Sequence, residues 1–164
     1  MARVIRTSVL LLLLVTGCSS NNGITPGSGS STFSCQVDGT DWSPTLGTSG
    51  QQEISATYSN GYLQITAYHR PSVSDRSTIE IDLAGISSPG QFDLGFTQSH
   101  GYFVNELLSS YDQLYSTSLT YTGVVNVTRF DTLYRQATGT FSFEASNASG
   151  GLVTIRSGSF DLVF

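Results

Sequence analysis

The chain of 164 residues carries seven basic and twelve acidic side chains, for a net charge of −5, and contains no lysine. A protein this acidic lacks the basic surface that holds a phosphate backbone, so nucleic acid is not expected as a partner. A domain of this size buries enough apolar surface to fold without disulfides or metals, so the sequence predicts no cofactor.

The first 18 residues have the layout of a cleaved export signal. Arg3 and Arg6 precede an unbroken apolar run from Val9 to Val15, and Gly17 leads to Cys18. The run is too short to span a bilayer as a stable helix. The segment resembles a bacterial lipoprotein signal peptide. This resemblance implies that residues 1–17 are removed, that the thiol of Cys18 receives diacylglycerol, and that the new amino group is acylated.

The lipid would make the membrane the first partner of the protein. Residues 18–32 are rich in Ser, Gly and Asn, a composition typical of a flexible tether, and residues 33–164 are predicted to form a single β domain. Residues 19–22 lack an acidic run of the kind that resembles a lipoprotein surface-export signal. We therefore expect the periplasmic face of the outer membrane, with the cell surface as the alternative.

The other cysteine, Cys35, has no expected partner because lipidation consumes Cys18, and a bridge between the two is disfavoured. Its spacing of two from Phe33 and Val37 predicts a small buried residue in the first strand. We assign it no nucleophilic role.

After Thr32, apolar and polar residues alternate along most of the chain, as in Ile54–Tyr58 and Ile79–Leu83. Asp38-Gly39 and Asn60-Gly61 separate such runs, and these dipeptides favour two-residue hairpins. The sequence therefore predicts an all-β domain, an antiparallel meander of about nine or ten short strands that forms a β-sandwich or a partly open barrel.

The alternation breaks between Phe96 and Thr117. Apolar residues from Phe103 to Tyr115 fall at helical spacing, which is compatible with a short amphipathic helix within 103–115. The many serines and tyrosines and the lack of a clean cap favour an irregular excursion or a strand instead. Either form would cover apolar surface, as a lid over one end of the core or as a binding loop.

Four segments near the two ends of this domain carry short motifs typical of strands and hairpins. They are Phe33–Trp42, Tyr121–Thr132, Ala137–Ala145 and Gly151–Phe164. Over most of residues 33–164 the chain resembles a family of small Bacteroidota lipoproteins of unknown function. The resemblance implies a Val-Asp-Gly hairpin, a Gly-Thr-Phe-Ser-Phe strand and a closing hairpin with Gly-Ser-Phe, and it implies no catalytic residue.

The Gly-Thr-Phe-Ser-Phe motif also has a physical interpretation without the family. Phe141 and Phe143 are two residues apart, so they share one face of a strand. Gly139 would leave room for a neighbouring aromatic ring or for a bend in the strand.

Candidates for catalysis are few. His69 and His100 are the two histidines, and neither has a metal-ligand spacing or a Gly-x-Ser-x-Gly partner motif. A hydrolase built around one of them is the alternative function. Glu80 and Asp82 share a strand face about 7 Å apart, which suits an acid/base pair or a calcium site, but a solvated face that discourages edge pairing is favoured.

Aromatic residues are the most informative excess, with eight tyrosines and one tryptophan. Their flat rings stack on sugars or anchor protein contacts, although most are expected to pack across strands. We therefore favour a non-enzymatic binding or envelope scaffold module, with a glycan, a peptide or an envelope protein as ligand. The candidate ligand-binding residues are Tyr102, Phe103, Tyr111 and Tyr115.

One modification site is also predicted. Asp131-Thr132-Leu133 resembles the Asp-Thr/Ser-apolar acceptor of O-glycans in exported Bacteroidota proteins. It lies at a predicted hairpin turn, where an acceptor hydroxyl would be accessible. Thr132 is therefore the candidate O-glycosylation site.

Overall fold

Strands form where apolar and polar residues alternate. The computed structural model describes residues 30–107 and 113–164, and these residues contain eleven β-strands and no helix. In chain order the strands are β1 (Thr32–Val37), β2 (Thr40–Trp42), β3 (Ile54–Ser59), β4 (Tyr62–Ser72), β5 (Asp75–Ala84), β6 (Gly90–Leu94), β7 (His100–Asn105), β8 (Leu114–Ser116), β9 (Gly123–Asp131), β10 (Gln136–Ser146) and β11 (Leu152–Val163). The pairings between these strands are antiparallel, which confirms the predicted fold class.

The strands divide into two groups at the long strand β10. Along one edge, β10 pairs with β9 from Gln136 to Phe143 and then with β8 at Ser146 alone, where Ser116 is its partner. One group therefore runs β6-β9-β10-β11-β1-β2, and the other runs β8-β7-β5-β4-β3. Among the described residues the sheet does not close into a barrel, because the end strands β2 and β3 are not paired with each other. The architecture is consistent with a β-sandwich or an open barrel.

The core lies between the two groups. From the second group, the apolar residues of β4 and β5 that alternate with polar ones point inward and are fully buried: Leu63, Ile65, Ala67, Ile79, Ile81 and Leu83. Trp42 of β2 crosses from the first group, and its Nε1 donates a hydrogen bond of 2.9 Å to Oγ of Ser77 on β5. Burial of these side chains supplies the main favourable term in folding.

Two tight turns set the register of the hairpins. Asp38 and Gly39 have φ values of 49° and 80°, and Asn60 and Gly61 have 52° and 79°. Positive φ at both central residues is the signature of the turn that matches the twist of paired strands. The two-residue hairpins predicted at these dipeptides are therefore confirmed.

The helix considered within 103–115 is wrong for the described part of that segment. Phe103 lies in β7, where it pairs with Ile79 of β5 and with Tyr115 of β8. Burial alternates along β7, so its true period is two, and the helical spacing arose from reading β7 and β8 as one continuous segment. Residues 108–112, between these strands in the sequence, lie outside the described residues.

Residues 1–29, including Cys18, also lie outside the described residues. The domain begins beside β11 and the β2–β3 loop. The hydroxyl of Ser31 accepts a hydrogen bond from the backbone N–H of Val163, and the N–H of Phe33 donates to Oε1 of Gln52. Over residues 30–107 and 113–164, no helix is long and apolar enough to cross a membrane.

Candidate functional site

The side of the β4-β5-β7 strands that faces away from the core carries a cluster of polar and aromatic residues. We call it the tyrosine–carboxylate face. Its members are Tyr62 and Gln64 on β4, Glu80 and Asp82 on β5, and His100 and Tyr102 on β7. These residues share one face because each alternates with an inward, buried neighbour.

The strand register aligns these residues in rows. Asp82 pairs with Gln64 on one side and with His100 on the other. Glu80 pairs with Tyr102 of β7 in the next row. Directly opposed side chains on neighbouring antiparallel strands are about 5 Å apart at Cβ, so the six residues form one continuous surface.

Asp82 is the least expected member of this face. It is only 6% exposed, so the interpretation of this strand side as solvated is wrong for Asp82. Its Oδ1 atom is buried and has no hydrogen-bond partner among the described residues. An ionised carboxylate buried with an unsatisfied oxygen is costly, because it has lost water without gaining a donor.

Glu80 lies close enough to Asp82 to be affected by its charge. Burial and the charge of Asp82 raise the pKa of Glu80 above its ordinary value, whereas Gln64 opposes the shift by donating from Nε2 to Oε1 of Glu80 at 3.0 Å. The pKa is raised because the ionised form is disfavoured by desolvation and by a like charge. The face therefore holds two neighbouring carboxylates, and one of their oxygens, Oδ1 of Asp82, has no donor among the described residues.

The two tyrosines border the carboxylates. Tyr62 is 39% exposed, and its pKa is raised by burial, by a hydrogen bond with Asp82 and by nearby charges. Burial and the charges of Asp82 and Glu80 also raise the pKa of Tyr102, whose ring centroid lies 5.7 Å from that of His100. Both phenols therefore stay protonated at neutral pH and present partly accessible rings.

Replacing Glu80 by glutamine should stabilise the protein at neutral pH. The pKa of Glu80 in the folded protein is raised above 4.5, which means that folding favours the protonated carboxyl. This contribution to the free energy of unfolding is present below about pH 4.5 and is lost as the pH rises through the folded-state pKa. Because Glu80 is partly exposed, we expect a gain of about 0.2–1 kcal/mol at pH 7 in urea unfolding, and none at pH 3.5.

Glu144→Gln is the matched control, because Glu144 lies on β10 with 52% side-chain exposure and is paired with Arg156 at 3.2 Å. No gain is expected there at either pH. An equal gain in both variants, or a gain for Glu80→Gln that persists at pH 3.5, would contradict the assignment.

An ion-pair network lies on the same side of these strands, at the end away from Tyr62. Arg70 donates to Oε1 of Glu106 from Nε and Nη2 at 3.1 and 2.7 Å, and Thr78 donates to the same oxygen at 3.1 Å. Arg76 Nε lies 3.1 Å from Oε2 but makes no hydrogen bond there, so that contact is an ion pair only. Burial by itself raises the pKa of Glu106, but these partners outweigh it and lower the pKa. Both carboxylate oxygens of Glu106 thus face cationic or hydroxyl partners, unlike Oδ1 of Asp82.

His69 lies apart from this face. Its Nδ1 donates to the carbonyl of Ser43 at 2.7 Å, its Nε2 lies 3.4 Å from Asp75 Oδ2, and its ring packs 5.6 Å from that of Trp42. Both ring nitrogens therefore face a carbonyl or a carboxylate. Neither is hydrogen-bonded to a hydroxyl or thiol that could act as a nucleophile.

The four predicted ligand-binding residues do not form one surface. Tyr102 is on the tyrosine–carboxylate face. Phe103 points into the core with 8% exposure, and Tyr115 packs against it with ring centroids 5.9 Å apart. Tyr111 lies outside the described residues. The structure thus separates Tyr102 from Phe103, as expected for neighbours on a strand.

Sequence reasoning missed Tyr62 and Gln64 as partners of Tyr102. A signal was present, since both alternate with the buried residues Leu63 and Ile65 directly after the Asn-Gly turn. What the sequence did not contain was the neighbour relation between β5 and β7, which brings His100 and Tyr102 beside the carboxylates.

A cleft of about 600 Å³ borders the face at Ala84. It is formed by β6, the β6–β7 loop and the segment before β9, and its rim carries the exposed side chains of Phe96 and Leu119. Among the described residues that line it, Asp93 is the one ionisable side chain, and six of the others are hydroxyl or amide residues. The cleft therefore offers shape, neutral polar groups and some apolar surface, but only one charged group.

Two other predicted positions are described. Cys35 is buried at 5% exposure, as predicted, and burial raises the pKa of its thiol to about 12. Thr132 is exposed in the turn between β9 and β10, where Asp131 Oδ1 accepts a hydrogen bond from the N–H of Tyr134 at 2.9 Å. Over residues 30–107 and 113–164, no group of three or more His, Cys, Asp or Glu could hold a metal ion.

Comparison with known proteins identifies the family. The model of DUF6252, a domain of unknown function, matches residues 31–163, and the chain belongs to this family. No curated protein and no solved structure matches the chain. Family membership thus covers the whole β domain and brings no activity with it, so the functional argument depends on the site itself.

Proposed function

We propose that this DUF6252 protein is a lipid-anchored, exported binding module that holds its ligand on the tyrosine–carboxylate face. The observation that carries the proposal is Asp82, a buried carboxylate with an oxygen that no described residue satisfies. A buried acceptor of this kind marks a place where a donor from outside the chain would be stabilising. The partly accessible rings of Tyr62 and Tyr102 beside it would supply contact area.

Binding is favoured over hydrolysis. A hydrolase built around His69 or His100 needs a base beside a nucleophile in a site that excludes water. The ring nitrogens of His69 are occupied by Ser43 and Asp75, and His100 packs against Tyr102 on an outer sheet face. These contacts position the histidines as structural or ligand-contacting groups.

The proposal is tested with the mature lipoprotein in nanodiscs. Isotope-labelled protein would be titrated with three envelope fractions, namely polysaccharide, peptide and solubilised outer-membrane protein. We expect one fraction to shift the amide signals of β4, β5 and β7, and the Tyr62→Ala/Tyr102→Ala double variant to lose that response while it stays folded.

Tyr134→Ala is the control, because Tyr134 is partly buried in the β9–β10 turn, away from β4 and β7. It should keep the response. Shifts confined to other strands, or no shift with any fraction, would overturn the proposal.

The proposed function also includes a cellular location. The N-terminal segment resembles a lipoprotein signal, the domain ends resemble Bacteroidota lipoproteins, and residues 18–32 have tether composition. A tether of this length would let the face reach ligands beyond the lipid headgroups. We place the protein at the outer membrane, facing the periplasm.

We further propose that Thr132 carries an O-linked glycan. Its hydroxyl is exposed in a turn, and Leu133 beside it is 78% exposed, so the Asp-Thr-Leu acceptor is accessible to an enzyme. The intact mass of the native protein should exceed that of the lipidated polypeptide by a glycan, and the Thr132→Ala protein should lose the excess.

Thr120→Ala is the control for this modification, because Thr120 is an exposed loop threonine that follows Leu119 rather than an aspartate. It should keep the added mass. A native mass equal to polypeptide plus lipid would rule the glycan out.

A further inference from the structure

We infer that the ligand of the tyrosine–carboxylate face is a neutral saccharide, whose hydroxyl groups donate to Asp82 and Glu80 while its rings lie on Tyr62 and Tyr102. The inference rests on the proposed function and narrows it to one ligand class.

The unsatisfied oxygen of Asp82 can be satisfied by an uncharged hydrogen-bond donor. An ionised carboxylate accepts hydrogen bonds only, and Oδ1 of Asp82 accepts none from the described residues. The amide of Gln64 is directed to Glu80. Sugar hydroxyls are donors that also accept, so they can bridge a carboxylate to the hydroxyls of Tyr62 and Tyr102.

The space around Asp82 favours a slender donor. With 6% exposure, its carboxylate offers no room for the two parallel contacts that a guanidinium group makes. Oδ1 itself is screened from solvent, so the proposal requires that the ring of Tyr62, which is 39% exposed at the rim, moves aside and releases its contact with Asp82 when the ligand binds.

Other donor-rich ligands fit less well. A divalent cation prefers six or more oxygen ligands, whereas this face offers two carboxylates, and the described residues contain no group of three His, Cys, Asp or Glu that could hold a metal ion. The raised pKa of Glu80 indicates that this position is desolvated. A basic peptide would therefore place full charges where the protein has already removed water.

The separation of the two tyrosine rings indicates the size of the ligand. Tyr62 lies at the start of β4, and Tyr102 lies two strands away on β7, so the two flank Asp82 from opposite sides. From strand spacing and rise, their Cα atoms are roughly 16 Å apart. An oligosaccharide, rather than a single sugar, can therefore contact both rings.

The first experiment applies the mature lipoprotein in nanodiscs to an array of glycans, and then measures the best neutral oligosaccharide by calorimetry. Hexalysine and calcium chloride are the counter-probes. We expect binding to a neutral oligosaccharide and none to the counter-probes. Asp82→Asn should weaken it about tenfold or more, which is about 1.4 kcal/mol.

Matched variants separate binding from folding. Asp161→Asn should leave the affinity unchanged. Asp161 lies on β11, and its exposed carboxylate accepts a hydrogen bond from Thr138. Tyr62→Ala should lose affinity, and Tyr62→Phe should keep most of it because the ring remains. Since Tyr62 is at the rim, these variants report on the ligand even if Asp82→Asn fails to fold.

The outcomes distinguish this inference from the proposed function. Hexalysine binding that Asp82→Asn abolishes, with no neutral glycan bound, would overturn the saccharide and leave the binding face intact. If no glycan of the array binds and no envelope fraction shifts the amide signals, both the saccharide inference and the proposed binding function would be overturned. Binding of a neutral glycan that none of the face variants affects would also overturn the inference.

Discussion

Replacing Gly139 by alanine is expected to lower the free energy of unfolding by about 3 kcal/mol or more. A Cβ at this position would lie 2.6 Å from the backbone oxygen of Asn126 and 2.7 Å from Cζ of Phe160. The first contact is with a strand backbone and the second with a buried ring, so neither can move cheaply. Overpacking of this kind typically costs 1–3 kcal/mol, and a clash with backbone places Gly139→Ala at the upper end.

Gly90→Ala is the matched control for this prediction. Gly90 also lies in a strand, but its added Cβ would meet only Phe92 Cε2, at 3.9 Å. Urea unfolding should therefore place Gly90→Ala within about 0.5 kcal/mol of the wild type. Similar losses in the two variants would show that glycine flexibility, rather than the Phe160 ring, sets the cost at Gly139.

The reason for Gly139 was visible in the sequence. Its motif predicted two phenylalanines on one face and a glycine that makes room for an aromatic ring or a bend. Phe141 and Phe143 are both buried, and Gly139 is opposite Phe160 across the β10–β11 pair. Strand alternation and aromatic spacing are local properties, so a single sequence contains them.

The Asp-Gly and Asn-Gly turns were predictable for the same reason, since two residues determine their geometry. The segment after Phe96 was not. Whether Phe103 lies in a strand depends on its pairing with Ile79 of β5, which lies 24 residues earlier in the chain. Tertiary pairing decided the structure where local spacing was ambiguous.

The candidate site depended even more on tertiary structure. The spacing of Glu80 and Asp82 identified a shared face but predicted that it was solvated. Neighbouring strands bury Asp82, and they do so through residues that are distant in sequence, Gln64 and His100. Burial of a polar strand face is a property of the assembled sheet, so periodicity cannot predict it.

Replacing Cys18 by alanine is expected to abolish lipid attachment and to release the protein from the membrane. Each buried methylene of an acyl chain contributes about 0.8 kcal/mol to membrane binding, so loss of all acyl chains removes the anchor. Radiolabelled palmitate should enter the wild-type protein and not Cys18→Ala, which should appear in the soluble fraction.

Cys35→Ala provides the control, because it removes the other cysteine. The Cys35 thiol is buried, and its pKa is raised to about 12, so it is neither accessible nor ionised at neutral pH. Its replacement should leave the palmitate label unchanged. Equal labelling of wild type and Cys18→Ala would contradict the anchor. Protease treatment of intact cells then tests the leaflet, since a periplasm-facing domain survives it and a surface domain is digested.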